Sequence, residues 1–420
     1  MGKKLLLLGL MVLFLCSPAM AKEIYIGALA DETGATSEVG RDAARGVREC
    51  VQYFNDKGGI NGNKIKLNLK DYKYDKQLAV QFYKEFKDGK IDMLLQWGTA
   101  DTEALRATVN QDKMVTISDS FSGHLCNPMP VPKNQTGAPY NFIYSTDYST
   151  NARACLTTWF EEVWKKSDKW KKAREAGKKP KLVCFFQKGC AYCEAPLAAI
   201  KDQAAILGIE VGNDQSVGLK DVDSTSQVLA AKNENPTVVW HGNTTDSVVT
   251  VVKDAFANGL GADHIVNNWG FDQSLVDRTG EAGEGVIGAA AAAFFGEDVP
   301  LMKEVMEYAK KIHPAEKKRD VRTCQAWLKV GMAAAALTEA SKKGELSGPA
   351  IKAALEGFKD WTLFGVANAL GRPPYTLTDK DHRPSGVALV YQIKGKKIQL
   401  LKKMDMKTAF KDKWDSWLGW

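Results

Sequence analysis

At 420 residues the chain has room for two or three domains, and its 45% apolar and 25% charged residues are ordinary for a soluble globular protein. A formal net charge of +7 is mild for this length and argues against a chain built around a nucleic-acid partner. The basic run 165–181, interleaved with Trp164 and Trp170, reads as a solvated helix face.

The first residues carry an export signal. Lys3 and Lys4 form a positive n-region, 5–15 is an apolar stretch too short to span a bilayer, and Ala19-Met20-Ala21 offers small residues at a cleavage site. Cleavage after Ala21 is expected, which removes two lysines and no acid and takes the net charge from +7 to +5. Leu15 precedes Cys16 where a lipobox needs a small side chain, so a free, soluble product is expected. The run 288–295 is too short for a membrane span and reads as a buried strand. Eight cysteines include Cys16, so seven remain after cleavage. That odd number leaves at least one thiol without an intramolecular partner.

The mature chain opens with a strand at 23–29 and a polar loop at 31–40. A helix over 41–55 follows, with Ala44, Val47, Val51 and Phe54 at helical spacing and Gly58-Gly59 to stop it. Ile65, Leu67 and Leu69 alternate with polar residues and predict a half-buried strand. A helix at 77–87, a strand at 91–97, another helix and a strand at 114–118 complete a β-α-β-α-β-α-β series, the pattern of a parallel sheet covered on both faces.

The alternation breaks over 126–139, rich in Pro, Asn and Gly, and then resumes. Helices are predicted at 151–164, 194–207, 224–232 and 247–258, with strands at 182–186, 210–217 and 237–241. A long helix at 322–340 and a closing hairpin near 388–401 come last. The reading is α/β: two doubly wound, Rossmann-like lobes in series. Ligands of such sheets bind beyond the carboxyl ends of the strands, and two facing lobes make a cleft. The candidate binding loops are therefore 31–40, 98–102, 118–123, 187–193, 242–246 (with Thr244) and 267–272.

Several phrases resemble the leucine/isoleucine/valine-binding type of periplasmic substrate-binding protein. They are the strand at 24–29, Thr33-Gly34, Asn55-Asp56-Lys57-Gly58-Gly59-Ile60-Asn61-Gly62, and Trp97-Gly98-Thr99-Ala100-Asp101-Thr102. Further on, Tyr192-Cys193-Glu194 stands where the family has Tyr-Gly-Glu, and Ser274-Leu275, Gly280, Ala282 and Glu284-Gly285 also match. The resemblance covers nearly the whole mature chain. It implies a type I periplasmic-binding-protein fold whose lobes, joined by three crossovers, close on a small solute. Lobe 1 would be 22–145 plus 274–345 and lobe 2 146–273 plus 346–420, with crossovers near 142–146, 269–275 and 343–349. It also implies a monomeric periplasmic receptor that delivers its ligand to an ABC permease in the inner membrane.

By the same resemblance, Thr102 and the loop of Ser118, Ser120 and Ser122 hold a ligand carboxylate, and Tyr192 closes over the ligand from lobe 2. Trp269 stands where the family carries the glutamate that accepts the ligand's ammonium group. An indole N–H is a donor and cannot accept those protons, and an unpaired buried ammonium is costly. The preferred ligand is therefore expected to be a carboxylate or amide with an apolar or aromatic tail, unless Asp272, Asp101 or Asp119 fills the gap or Trp269 holds the cation by a cation–π contact.

The alternatives are of other classes. Cys190 and Cys193 form a C-x-x-C between a strand and a helix, the pattern of a thiol-disulfide enzyme, although a local structural disulfide or a pairing with Cys184 or Cys155 suits the context better. A soluble sensor for a membrane receptor is another. No catalytic triad order, phosphate-binding glycine fingerprint or histidine zinc motif is present, so no cofactor or metal is expected.

Overall fold

The computed structural model describes residues 23–420; the signal segment and its cleavage site lie outside the described residues. Among the described residues there are thirteen strands: β1 (Ile24–Ala30), β2 (Ile65–Asp71), β3 (Met93–Gln96), β4 (Thr116–Ser118), β5 (Asn141–Phe142), β6 (Lys181–Phe186), β7 (Glu210–Val211), β8 (Gln215–Ser216), β9 (Val238–His241), β10 (Asp263–Val266), β11 (Ile287–Ala290), β12 (Val387–Lys394) and β13 (Lys397–Asp405). They form two sheets. The first is all parallel in the order β2-β1-β3-β4-β5. The second runs β13-β12-β11-β10-β9-β6-β7, with β8 also on β6; β12 and β13 join it antiparallel and the other strands are parallel.

Burial follows from this layering. Central strands of parallel sheets are covered on both faces and read as continuous apolar runs. β3 and β9 are buried at every residue, whereas the edge strand β2 alternates. The helix Val321–Lys342 is buried around most of its circumference, because Ser37–Asp56, Met302–Ile312 and Gly348–Glu356 all pack on it. Gly46 allows the closest of these approaches: a Cβ there would lie 2.7 Å from that of Ala326. Among the described residues, no helix is long and apolar enough to cross a membrane.

The chain passes between the sheets three times. The first passage lies between β5 and the helix Tyr148–Trp159, over 143–147, against an expected 142–146. The second falls later than 269–275. β11 pairs with β10 and β12, so the chain stays with the second sheet through Ala290, and residues 274–290 do not return to lobe 1. The third also falls later than 343–349. The helix Gly348–Glu356 still packs on Val321–Lys342, with Gly348 against the Lys113 carbonyl, so the return lies between Glu356 and β12. That return crosses the waist of the molecule, where the Tyr375 hydroxyl donates to the Tyr144 carbonyl and His382 Nδ1 lies 2.9 Å from the Asn141 carbonyl oxygen. The hairpin β12–β13 and the helix 151–164 were expected as observed, save that the helix starts at Tyr148 and ends in a π-turn over Phe160–Trp164.

Candidate functional site

The carboxyl ends of β1 and β3 build one wall of a cleft. After β1, the Asp31 carboxylate closes its own loop, accepting from the amides of Gly34 (2.6 Å) and Thr36 (2.7 Å) and from the Thr36 hydroxyl (2.8 Å). After β3, Trp97 and Gly98 lead into the helix Thr99–Asp112. Asp101 folds back to cap it, accepting from the amides of Trp97 (3.1 Å) and Gly98 (2.7 Å) and from the Tyr72 hydroxyl (2.7 Å). The Trp97 indole N–H donates to Thr36 Oγ1 at 2.9 Å, tying the two loops together.

Tyr74 leans over this wall. Lys73 and Tyr74 both have left-handed backbones (φ 56° and 58°), an arrangement that costs a non-glycine residue about 1 kcal/mol or more. Its ring fills the space above Gly98, where a Cβ would lie only 2.5 Å from Tyr74 Cε2.

The opposite wall comes from the loops after β6, β9 and β10, joined by Tyr148 from the first passage. Tyr192, Thr244 and Trp269 stand at these strand ends, each at most 4% exposed. With Tyr74, Trp97, Tyr148, Thr36, Val39, Gly98 and Thr99 they line one pocket between the two walls, and five of the ten lining residues are aromatic. The two walls touch: Trp97 and Trp269 meet edge-on at 5.0 Å. At the mouth, Glu38 accepts from the Thr244 hydroxyl at 2.6 Å and pairs with Lys220 at 3.0 Å.

The eight residues singled out from the sequence fall into three groups. Tyr192, Thr244 and Trp269 line the cavity. Thr102 is one helical turn further back; its hydroxyl donates to the Gly98 carbonyl at 2.6 Å, and Thr99 occupies the cavity edge. Ser118, Ser120 and Ser122 are buried behind that edge. Ser120 Oγ lies 2.9 Å from Thr99 Oγ1, Ser118 donates to the Ser120 carbonyl at 3.0 Å, and Ser122 Oγ lies 3.5 Å from His124 Nδ1. Asp272 caps the helix Gln273–Thr279, accepts from Thr245 at 2.5 Å and pairs with Arg322 at 3.3 Å.

The acids weighed as ammonium acceptors are thus all engaged elsewhere. Asp272 faces Arg322, and Asp119 is held by Lys329 at 2.5 Å and by the Tyr144 hydroxyl. Asp101 sits in the helix cap, where burial pushes its carboxyl up to about 6. Burial likewise raises the phenols of Tyr74, Tyr148 and Tyr192 above their ordinary value, so all three are neutral donors near neutral pH. The Tyr148 hydroxyl accepts from the Trp269 indole at 2.8 Å and donates to the Asp119 carbonyl at 3.1 Å. The Tyr192 hydroxyl, fully buried at the cavity, has no side-chain partner among the described residues.

Cys190 and Cys193 form a local disulfide that brackets Tyr192, while Cys50, Cys126, Cys155, Cys184 and Cys324 are buried free thiols. Sequence reasoning did not single out Tyr74, Thr36, Tyr148 or Glu38. Thr36 and Glu38 lay within the named loop 31–40. Tyr74 and Tyr148 had no comparable signal.

A family model described as periplasmic binding protein matches residues 23–397. The Leu/Ile/Val-binding protein of Citrobacter freundii is 20% identical over 322 residues, 75% of this chain and 80% of that one. Among solved structures, an ABC transporter substrate-binding protein of Aeropyrum pernix is 28% identical with a TM-score of 0.78, covering 92% of this chain and 96% of its own. A branched-chain amino acid ABC transporter protein of Thermus thermophilus with bound valine, 19% identical, has a TM-score of 0.79 over 91% and 96% of the two chains. Two Rossmann-like lobes, three passages and a pocket between strand ends agree with that match over nearly the whole described chain: the protein belongs to the periplasmic binding protein family.

Proposed function

We propose that this protein is the solute receptor of an ABC importer, exported by the segment 1–21, working as a periplasmic monomer and delivering its ligand to a membrane permease. Lobe 1 would comprise β1–β5 with the helices between Met302 and Glu356, and lobe 2 the second sheet. The observation that carries this reading is the cavity itself, walled by strand-end loops of both sheets and bridged by Trp97 against Trp269. Such a site binds by approach of the lobes and calls for no catalytic group.

The ligand is a small organic solute other than a simple branched-chain amino acid. Every candidate acid is already engaged, so a primary ammonium, with three donors to satisfy, meets no carboxylate on the cavity wall. Native mass spectrometry of the purified protein, with small-angle scattering of the stripped and reloaded forms, tests this. A co-purifying solute that compacts the protein is expected. An unchanged radius of gyration at saturation refutes the receptor reading, and micromolar binding of leucine refutes the ligand clause.

One observation favours a second reading: Cys190 and Cys193 are joined as a redox pair would be. Cys193 is wholly buried and Cys190 only 8% exposed, which leaves an attacking thiol little access. An insulin-reduction assay separates the two readings, and no turnover is expected.

A further inference from the structure

We infer that the cavity is a cage for a quaternary ammonium head group. This rests on the receptor reading above and adds the ligand's chemistry to it.

Five rings, those of Tyr74, Trp97, Tyr148, Tyr192 and Trp269, line one pocket between the two walls. A trimethylammonium group carries its charge without any N–H donor. It is therefore satisfied by ring faces, where a primary ammonium would leave donors unmet. A neutral apolar ligand would also suit rings, so the distinction lies in the charge around them.

Two carboxylates stand close behind the lobe-1 wall. Asp31 holds the Thr36 loop and Asp101 holds Trp97 and Gly98, and neither has a cationic partner within ion-pair distance among the described residues. The other charges near the cleft are balanced. Asp119 faces Lys329 and Asp272 faces Arg322, while Glu38 and Asp246 share Lys220, with Arg278 also on Asp246. Arg322 lies 4.8 Å over the Trp269 ring but does not line the cavity, and its pairing with Asp272 offsets its charge. The surplus seen from the cavity is therefore negative.

Two further features fit a built cage. Tyr74 is fixed by a left-handed turn with no glycine of its own and packs on Gly98, so the ring's position is imposed rather than incidental. The Tyr192 hydroxyl is buried at the cavity with no side-chain partner among the described residues, and it suits a hydroxyl or carboxylate on the far end of the ligand.

Calorimetric titration of the exported protein after dialysis tests the assignment. The probes are tetramethylammonium, choline, glycine betaine, benzoate, leucine and 3,3-dimethylbutan-1-ol, the last having the shape of choline without its charge. Choline or glycine betaine is expected to bind at least tenfold more tightly than the uncharged isostere. Trp97→Leu and Tyr74→Leu should each weaken that binding tenfold or more, and circular dichroism checks their folding. Should either fail to fold, Tyr192→Phe should weaken the ligand that carries a hydroxyl or carboxylate at least tenfold more than it weakens tetramethylammonium. Equal binding of the isostere overturns the cage, as does benzoate binding without any quaternary ammonium compound, or no binding by any of the three quaternary ammonium probes. Those outcomes leave the receptor reading standing, which fails instead on scattering without compaction.

Discussion

Glu38 is the residue on which closure can be tested most directly. It lies at the start of the lobe-1 helix Ser37–Asp56, yet both its carboxylate oxygens reach lobe 2, one to Thr244 at 2.6 Å and the other to Lys220 at 3.0 Å. These bonds exist only while the lobes are together. A charge-assisted bond to a buried hydroxyl contributes about 1.5–3 kcal/mol at most. The pair with Lys220 adds about 0–1 kcal/mol, because that lysine is 51% exposed and screened. Glu38→Ala should therefore cost the closed state about 2 kcal/mol, roughly a thirtyfold rise in Kd for the solute that co-purifies. Glu38→Gln, which keeps an acceptor for Thr244, should fall between the two. In a Thr244→Val background, Glu38→Ala should lose all but a few-fold of its effect, since the larger bond is already gone. Titration calorimetry gives the affinities and small-angle scattering the compaction. A Kd for Glu38→Ala within twofold of the unaltered protein, with the same compaction, would refute the reasoning.

N-terminal sequencing of the exported protein should begin at Lys22, and an intact Met1 or a diacylated Cys16 would contradict that. Gly98→Ala should lose about 1–3 kcal/mol of stability and most solute affinity, because the added methyl meets Tyr74 at 2.5 Å; unaltered melting and binding would show that the turn at Tyr74 yields freely. Asp101 has its carboxyl raised by burial from 3.8 to about 6, so the native state keeps a proton that the unfolded chain has released. Its contribution to stability is complete below pH 3.8, declines by roughly 3 kcal/mol as pH climbs towards 6, and is level above. Melting curves between pH 4 and 7 should show this slope reduced in Asp101→Asn, and equal slopes would be evidence against it. Maleimide should label no thiol of the folded, oxidised mature protein and five after denaturation without reductant, because Cys190 and Cys193 are paired and the remaining five are buried; rapid labelling of the native protein would contradict this.

The limits of the sequence as a guide follow the range over which each feature is encoded. β1 to β4 and their helices were legible to within a few residues, since period and glycine stops are local signals. The passages were not. The apolar run from Ile287 onward shows that a buried strand exists, but nothing in it says that its neighbours are β10 and β12 rather than the first sheet. Thr102 and Thr99 lie one turn apart on the same helix, and which reaches the cavity depends on the cap falling at Gly98, a boundary that propensity places only within a residue or two. Tyr74 sits in the polar stretch 70–75 and reaches the cleft through two left-handed residues that are neither glycine nor asparagine, so no turn signature announces it.

The ligand's chemistry is the feature least local of all. Trp269, Tyr192 and Thr244 were readable as strand-end residues, but what the cavity offers a solute depends on which polar groups are already taken. Asp272 looks in the sequence like a free acid three residues from Trp269. Arg322, fifty residues further on, comes from another lobe's helix to pair with it. Asp119 is engaged in the same way by Lys329. Conversely, Asp31 and Asp101 look like ordinary loop and helix-cap acids, and only the fold brings both behind one aromatic wall with no cation in ion-pair distance of either among the described residues. A pocket's residue types follow from strand ends, but its net charge follows from pairings made across the whole chain. What a pocket offers an ammonium group therefore depends on distant pairings such as those of Asp272 and Asp119 as much as on the residue at position 269.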